Sequence, residues 1–88
     1  MKDKELERTL KALANGRRLA IVRFIKNKKE AAVGDIAEEI KVSFKATSKH
    51  LGLLLSANIV EREQRSLQMF YRLAPKLTKS AHVIISLL

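Results

Sequence analysis

The spacing of apolar residues changes at Asn58, and this change constrains the fold more than any other feature of the sequence. Before Asn58 the apolar residues recur every three or four positions, which is typical of amphipathic helices. After it, residues 59–64 and 68–73 are β-branched, aromatic or alternating, which is typical of short strands. The sequence therefore predicts a mostly helical domain with a small β-hairpin near its carboxyl end.

Helix boundaries can be predicted from turn residues and capping residues. Leu6, Leu10 and Leu13 form the apolar stripe of a first helix of about three turns. We expect Asn15-Gly16 to end it through a residue of positive φ. Asn58 is suited to the same left-handed conformation at the end of a later helix, and Thr78 to capping the last one. The other helices are predicted at 17–26, 33–40, 43–57 and 79–88, with an exposed turn at 27–30 and a hairpin tip at 65–67.

Two of these helices are joined by a very short connection. Lys41-Val42 leaves room only for a tight turn, after which the Ser43 hydroxyl can cap the next helix. That helix has a buried stripe and an uncovered opposite stripe. The buried stripe is Thr47, Leu51, Leu54 and Leu55, and the uncovered one is Lys45, Ser48, Lys49 and Gly52. A glycine inside a helix indicates close approach of another backbone or of DNA, or else a tolerated defect.

The charge of the chain favours a polyanionic partner. The 88 residues include 18 Lys and Arg against 9 Asp and Glu, a formal net charge of +9. Residues 41–60 contain three lysines and no acid, and nothing after Glu63 is acidic. This distribution favours nucleic acid over an anionic membrane surface. No apolar run is long enough to cross a bilayer, so we expect a cytoplasmic protein.

The absence of cysteine removes several kinds of site. It excludes disulfides, thiolate metal sites and cysteine nucleophiles. His50 and His82 have no neighbouring nucleophile or glycine-rich phosphate loop, so an enzyme is not predicted. We expect no cofactor and no bound metal. Since so small a domain is marginally stable alone, association with a second chain is the expected source of further stability.

Three segments of the chain resemble ArsR-type regulators. Residues 10–22 resemble their conserved Leu-Ala-Asp-Pro-Thr-Arg-Leu region, although Asn15-Gly16-Arg17 replaces Asp-Pro-Thr. Ser48-Lys49-His50-Leu51 is similar to the end of their recognition helix, and residues 70–73 to the return strand of their wing. The resemblance implies a winged helix-turn-helix with an added helix at each end. Ala32 and Gly34 occupy the positions of the metal-sensing cysteines, so that sensor site is absent.

The resemblance also implies how the chain is divided. We expect one domain over 1–88, with dimerisation helices at 1–14 and 78–88. The helix-turn-helix then covers 33–57 and the wing 59–73. The family is expected to bind DNA as a repressor, with the recognition helix in the major groove and the wing in the minor groove.

The candidate DNA-binding residues belong to the recognition helix, its preceding turn and the wing. Lysines donate to guanine or to phosphate, an exposed Phe contacts a thymine methyl, and a wing arginine reaches the minor groove. His50 has two open interpretations, a phosphate contact or a packing residue hydrogen-bonded to the wing. The candidates are Lys41, Ser43, Phe44, Lys45, Ser48, Lys49, His50, Gln64, Arg65 and Gln68.

The first and last helices are predicted to form a homodimer interface. The first helix carries a leucine stripe, and the last has more apolar surface than a terminal helix of a monomer should show. A two-fold dimer presents recognition helices about 34 Å apart, so the operator should be an imperfect palindrome. The candidate interface residues are Leu6, Leu10, Leu13, Ile84, Leu87 and Leu88.

Two other functions fit the same sequence. A non-specific architectural DNA-binding or RNA-binding protein would share the basic charge. A winged-helix module for protein interaction would share the fold but not depend on Lys45, Lys49 and Arg65. The sequence favours a sequence-specific regulator of double-stranded DNA, associated with the nucleoid when bound.

Overall fold

Five helices and the base of a β-hairpin wing lie around one buried core in a computed structural model that describes residues 3–88. The predicted range of the first helix, 1–14, includes Met1 and Lys2, which lie outside the described residues. Five helices and three strands follow one another along the chain. They are α1 (Asp3–Leu13), α2 (Gly16–Lys28), β1 (Ala31–Ala32), α3 (Val33–Ile40), α4 (Phe44–Ser56), β2 (Val60–Arg65), β3 (Gln68–Leu73) and α5 (Lys79–Ser86).

The junction of α1 and α2 differs from the expected positive-φ turn. Asn15 has an extended backbone with φ −159°, and its side-chain oxygen accepts a hydrogen bond from the Arg18 amide at 3.0 Å. Gly16 does not have a positive φ. Asn15 therefore starts α2 as its cap, which is a common use of this residue, and the prediction that Asn15-Gly16 ends α1 through positive φ was wrong.

The segment after α2 contains a strand that the sequence did not predict. The helix continues through Lys28, and Lys29 ends it with φ 73°. The expected turn at 27–30 is therefore shorter. Ala31 and Ala32 then pair antiparallel with Tyr71 and Phe70, giving the strand order β1-β3-β2. Two alanines carry no β-branched or alternating signal, so only this long-range pairing identifies them as a strand.

The core is centred on α2, α3, α4 and the base of the hairpin, and α1 and α5 add residues to it. Most of its largest completely buried side chains come from α2, α3 and α4, and Tyr71 of β3 belongs to the same cluster. The predicted stripe of α4 is confirmed for Thr47, Leu51 and Leu54, while Leu55 is half-buried. The completely buried apolar residues are Ile21, Val22, Ile25, Ile36, Leu51, Leu54 and Ile59.

Several predicted helix ends are confirmed. The Thr78 hydroxyl accepts a hydrogen bond from the Ala81 amide at 3.2 Å at the start of α5. Asn58 follows α4 with φ 60°, the left-handed conformation expected for it.

The Lys26 ammonium donates to the main-chain oxygens of Ile85 and Leu88, at 3.1 and 2.8 Å. Since cations are favourable at helix carboxyl ends, Lys26 fastens the end of α5 to α2.

The predicted fold class is confirmed as mostly helical with a β-hairpin wing, to which β1 adds a third strand.

Gly52 does not approach another part of the chain, because a Cβ added there would meet no atom within 4 Å. Among residues 3–88, no helix is both long and apolar enough to span a bilayer. The same residues contain no group of three or more His, Cys, Asp or Glu arranged to hold a metal ion.

Candidate nucleic-acid interface

A left-handed residue makes the sharp turn between α3 and α4. Lys41 has φ 56° and ψ 48°, and its N–H donates to the Ala37 carbonyl. The Val42 amide donates to the same carbonyl at 3.1 Å. This conformation is uncommon outside glycine, and it explains why a turn residue is needed here. The exposed Lys41 side chain lies at the start of the turn leading to α4.

The amino end of α4 is well suited to an anion. The Ser43 hydroxyl accepts a hydrogen bond from the Ala46 amide at 3.1 Å, which confirms Ser43 as the cap. The first turn contains no acidic residue. Because the free N–H groups and the helix dipole favour negative charge at this end, a phosphate can be held here without an opposing carboxylate.

The exposed face of α4 carries the predicted DNA-facing side chains. Lys45 and Lys49 are exposed and one turn apart, while Ser48 between them is half-buried. Phe44 is 62% exposed. The lysines lie opposite the buried Thr47, Leu51 and Leu54. Phe44 lies on the same side of the helix as Leu51, two turns earlier, and is exposed as the first residue of α4.

His50 bonds to α2 rather than to the wing. The Arg18 guanidinium lies 3.2 Å from His50 Nδ1 through one nitrogen. Since Arg can only donate, Nδ1 must be the acceptor and the neutral ring carries its proton on Nε2. Burial lowers the pKa of His50 below its ordinary value, and the positive charges of Arg18, Arg17 and Lys49 lower it further. The half-buried imidazole is therefore neutral at pH 7, with Nε2–H left to donate.

Arg18 also fastens the end of α1. Its Nε donates to the Ala12 carbonyl at 2.6 Å, and a terminal nitrogen donates to the Lys11 carbonyl at 3.2 Å. One side chain thus connects α1 to α4 through His50. Sequence reasoning missed this role, because no local pattern distinguishes Arg18 from Arg17.

Arg65 is part of an ion-pair network on one face of the wing. The sequence places Arg65 at the hairpin tip, whereas the structure makes it the last residue of β2, opposite Gln68. Its guanidinium is paired with the carboxylates of Glu30 and Glu63, at 2.9 and 3.1 Å through one nitrogen. It also lies 4.7 Å from the centroid of the Phe70 ring. Arg65 is therefore held on the wing by residues of the wing and by Glu30.

The same network includes Arg72. Its Nε donates to Glu61 at 2.6 Å, and another nitrogen donates to Glu63 at 2.9 Å. The hydrogen bonds from Arg65 and Arg72 lower the pKa of Glu63 to about 2. The hydrogen bond from Arg65 lowers the pKa of Glu30, and hydrogen bonds to the carboxylates raise the pKa of both arginines. Alternation along β2 puts Glu61, Glu63 and Arg65 on one face, but the contribution of Glu30 could not be read from the sequence.

The tip of the wing consists of Ser66 and Leu67. Ser66 has φ 55°, and the Leu67 side chain is 97% exposed. The predicted contacts Gln64 and Gln68 are both exposed beside the tip. Gln64 donates to the Ser66 carbonyl at 3.5 Å, so its amide lies over the turn. The tip therefore offers amide and apolar groups, with its nearest arginine already paired.

The predicted interface residues divide into two groups. Leu13 is only 3% exposed and belongs to the core of its own protomer, so it is not available to a second chain. The other five are exposed or half-buried on α1, on α5 and just after it, since α5 ends at Ser86 rather than at the predicted residue 88. Thr9 of α1 and Thr78 before α5 lie 3.4 Å apart through their hydroxyls. These five are Leu6, Leu10, Ile84, Leu87 and Leu88.

Part of the sequence matches a family of bacterial regulatory proteins. Residues 15–62 match the family model described as bacterial regulatory protein, arsR family. No curated protein matches the sequence significantly.

Solved structures match the whole domain. HlyU from Vibrio cholerae is 28% identical, with a TM-score of 0.84, and the match covers 99% of this chain and 92% of that chain. The repressor BigR from Xylella fastidiosa is 31% identical, with a TM-score of 0.78, covering 96% of this chain and 83% of that chain. A homodimeric winged helix-turn-helix DNA-binding domain from Mycobacterium bovis, a possible ArsR-family regulator, is 29% identical, with a TM-score of 0.81. The match covers 99% of this chain and 82% of that chain.

The family match covers more than half of the chain and includes α2, α3, α4 and the start of the wing. The turn at Lys41, the cap at Ser43 and the acid-free exposed face of α4 lie within it. The fold is that of DNA-binding transcriptional regulators rather than of enzymes, and the chain belongs to the ArsR family of bacterial regulatory proteins.

Proposed function

We propose that the chain is a sequence-specific repressor that binds a palindromic operator as a homodimer. The observation that carries this proposal is the exposed face of α4, on which Lys45 and Lys49 stand opposite the buried stripe without a neighbouring acid. A helix can enter a major groove about 12 Å wide only if this face is uncovered and not repelled by phosphates. As a bacterial regulator of DNA, the protein would work in the cytoplasm on the nucleoid.

Base and phosphate contacts are assigned to different parts of the helix-turn-helix. Lys45, Ser48 and Lys49 face the groove, where a lysine can donate to guanine O6 and N7. Phe44 is exposed where it can contact a thymine methyl. Phosphates are held by Lys41 and by the amino end of α4 at Ser43.

His50 supports this arrangement in a modest way. Its Nδ1 is occupied by Arg18, so its Nε2–H is the group that can donate to a phosphate. Being neutral, the imidazole adds a hydrogen bond without a full ionic contact.

The wing is proposed to follow the adjacent minor groove. Gln64 and Gln68 are exposed for polar contacts beside Leu67 at the tip. Arg65 can reach the groove only if its ion pairs with Glu30 and Glu63 break. Because breaking them costs free energy, Arg65 contributes less to DNA affinity than an unpaired arginine would.

Dimerisation through α1 and α5 is supported by their apolar residues. Leu10 is 48% and Leu87 is 79% exposed in the single chain, which leaves apolar surface for a partner. The similar domain from Mycobacterium bovis is described as homodimeric, and BigR as a repressor. Two copies related by a two-fold axis would contact half-sites about one turn apart, and repression would follow from occlusion of the promoter.

Competition binding tests the proposal. The protein is mixed with labelled random duplexes and an increasing excess of unlabelled bulk DNA. If the protein is a specific regulator, a small fraction of the labelled duplexes should stay bound to it at about a 10³-fold excess of unlabelled DNA. The Lys49→Ala variant should no longer hold this bound fraction. The Lys76→Ala variant, which removes the same charge from the exposed loop before α5, should still hold it.

Other results would contradict the proposal. Uniform displacement of all labelled duplex, with an affinity that falls steeply as salt rises, would indicate an architectural protein. Absence of binding at low salt would indicate a protein-interaction module.

A further inference from the structure

A groove of about 790 Å³ lies between α1 and the carboxyl half of α4. Its rim carries the basic side chains of Lys4, Arg8, Lys11 and Arg18 and one acid, Glu7. The groove meets α4 at Leu53, Ser56 and Ala57, and Leu53 lies one turn, about 6 Å along the helix, after Lys49. None of the DNA contacts proposed above uses it.

The groove combines positive charge with an apolar surface. Leu53 is 47% exposed there, and Ala12 and Ala57 line the same space. Small-molecule sites are mostly apolar cavities of about 300–1,000 Å³ with a few polar groups that fix orientation. We propose that this groove binds a small organic carboxylate with an apolar chain, the carboxylate lying among the basic residues and the chain lying on Leu53.

The proposed dimer leaves this groove open. At 3.6 residues per turn, Lys4, Arg8 and Lys11 lie within about 60° on α1. Leu6 and Leu10 lie roughly 150° away around the same helix. The buried Thr9 separates the two faces. A partner seated on Leu6 and Leu10 would therefore not cover the basic residues of the groove.

Arg18 connects the groove to the recognition helix. It lines the groove and at the same time donates to His50 Nδ1 at 3.2 Å. A carboxylate beside Arg18 would draw the guanidinium toward itself, away from the imidazole one residue after Lys49. Binding in the groove would thereby change the position of the DNA-facing residues of α4. This regulatory step rests on the proposed function, whereas binding itself does not.

Isothermal titration of the full chain without DNA tests the binding. The probe is decanoate, compared with decanol, which lacks the charge, and acetate, which lacks the chain. Decanoate should bind at least about tenfold more tightly than either. Lys11→Glu should weaken decanoate binding by about tenfold or more, while Lys76→Glu, with the same charge change outside the groove, should leave it within about twofold. Equal binding of decanol, no binding of decanoate, or equal effects of the two variants would each overturn the site.

The coupling is tested by NMR in the same samples. Decanoate should move the imidazole signals of His50 and leave those of His82 on α5 in place, and this response should be lost in Lys11→Glu. Binding without a change at His50 would overturn the coupling but not the site. Decanoate should also weaken duplex binding by the wild-type chain. If the protein binds decanoate with these responses and binds no duplex, the proposed function fails while the site stands.

Discussion

The guanidinium of Arg65 and the carboxylate of Glu30 form a two-pronged ion pair across 35 residues of sequence. Glu30 directly precedes β1, and Arg65 ends β2, so the pair ties the far end of the wing to the start of the sheet. Paired hydrogen bonds of this kind fix geometry as well as charge. The orientation of the wing in the free protein is therefore set partly by this contact.

Replacement of Glu30 should strengthen DNA binding. Glu30→Gln removes the main partner of Arg65 and leaves the guanidinium freer to meet phosphate or the minor groove. We expect a gain of about two- to fivefold in duplex affinity at low salt. The fall of log affinity with log salt concentration should also steepen, by an amount equivalent to up to about one more phosphate contact. Fluorescence anisotropy across a salt series measures both quantities.

The control for Glu30→Gln is Glu5→Gln, which removes the same charge from the exposed surface of α1. The double variant Glu30→Gln with Arg65→Ala should lose the gain. If Glu30→Gln and Glu5→Gln change affinity equally, the effect is one of net charge alone and Arg65 is not released.

Acid should weaken the wing over a defined pH range. The pKa of Glu63 is about 2 in the folded protein, against 4.5 for the ordinary group. Because the folded-state value is lower, its ion pairs contribute their full stability above pH 4.5, and this contribution is lost as the pH falls toward 2. Thermal unfolding of the wild type and of Glu63→Gln should therefore differ by a constant amount above pH 5 and converge near pH 2.

Amide signals of residues 61–72 followed by NMR separate this effect from titration elsewhere in the chain. They should shift with acid in the wild type and much less in Glu63→Gln. A stability difference that stays the same from pH 5 to pH 2 would show that the Glu63 ion pairs do not stabilise the wing.

A charge on the terminal helices should separate the proposed dimer. Leu10→Glu places a carboxylate on the exposed apolar face of α1, where burial against a partner would be costly. Sedimentation should give twice the chain mass of 10.0 kDa for the wild type and a single chain mass for Leu10→Glu. Duplex affinity should fall along with the dimer.

Leu67→Glu is the matched control, because it changes an even more exposed leucine at the wing tip. It should remain dimeric. A wild-type chain that sediments as a monomer at micromolar concentration would refute the dimer directly, as would a dimeric Leu10→Glu.

Gly52 offers a test of how closely DNA approaches α4. A Cβ built on Gly52 would have no protein atom within 4 Å beyond the helix backbone around it, and the φ angle of Gly52 is not positive. Gly52→Ala should therefore raise the free energy of unfolding by about 0.5–1 kcal/mol, since alanine loses less backbone entropy in a helix. Urea unfolding measures this gain.

Duplex binding by the same variant then separates two reasons for the glycine. Unchanged affinity would indicate a tolerated defect, and a loss of affinity with higher stability would indicate close approach of DNA. A lower stability would contradict the helical geometry described for Gly52.

Features with local chemical causes could be predicted from the sequence. Ser43 and Thr78 cap their helices as expected, because a hydroxyl at that position accepts an amide bond three residues later. Asn58 adopts the left-handed conformation for the equally local reason that its short polar side chain tolerates it. The periodicity of residues 33–40 identified α3 with the bounds observed.

Features that depend on contacts distant in sequence could not be predicted. Ala31 and Ala32 become a strand only because β3 pairs with them. The partner of His50 lies 32 residues earlier, on a helix whose position no local pattern gives. Arg65 and Glu30 are likewise brought together by the sheet, so a residue expected to extend from the hairpin tip is instead held by a carboxylate.

The central claim is that α4 reads a specific DNA sequence in a dimer, and selection from a random pool tests it most directly. Duplexes retained by the purified protein at near-physiological salt are amplified, reselected and sequenced. The account predicts an imperfect palindrome with half-sites about one helical turn apart, recovered by the wild type and lost with Lys49→Ala. Recovery of duplexes without a shared motif would contradict it.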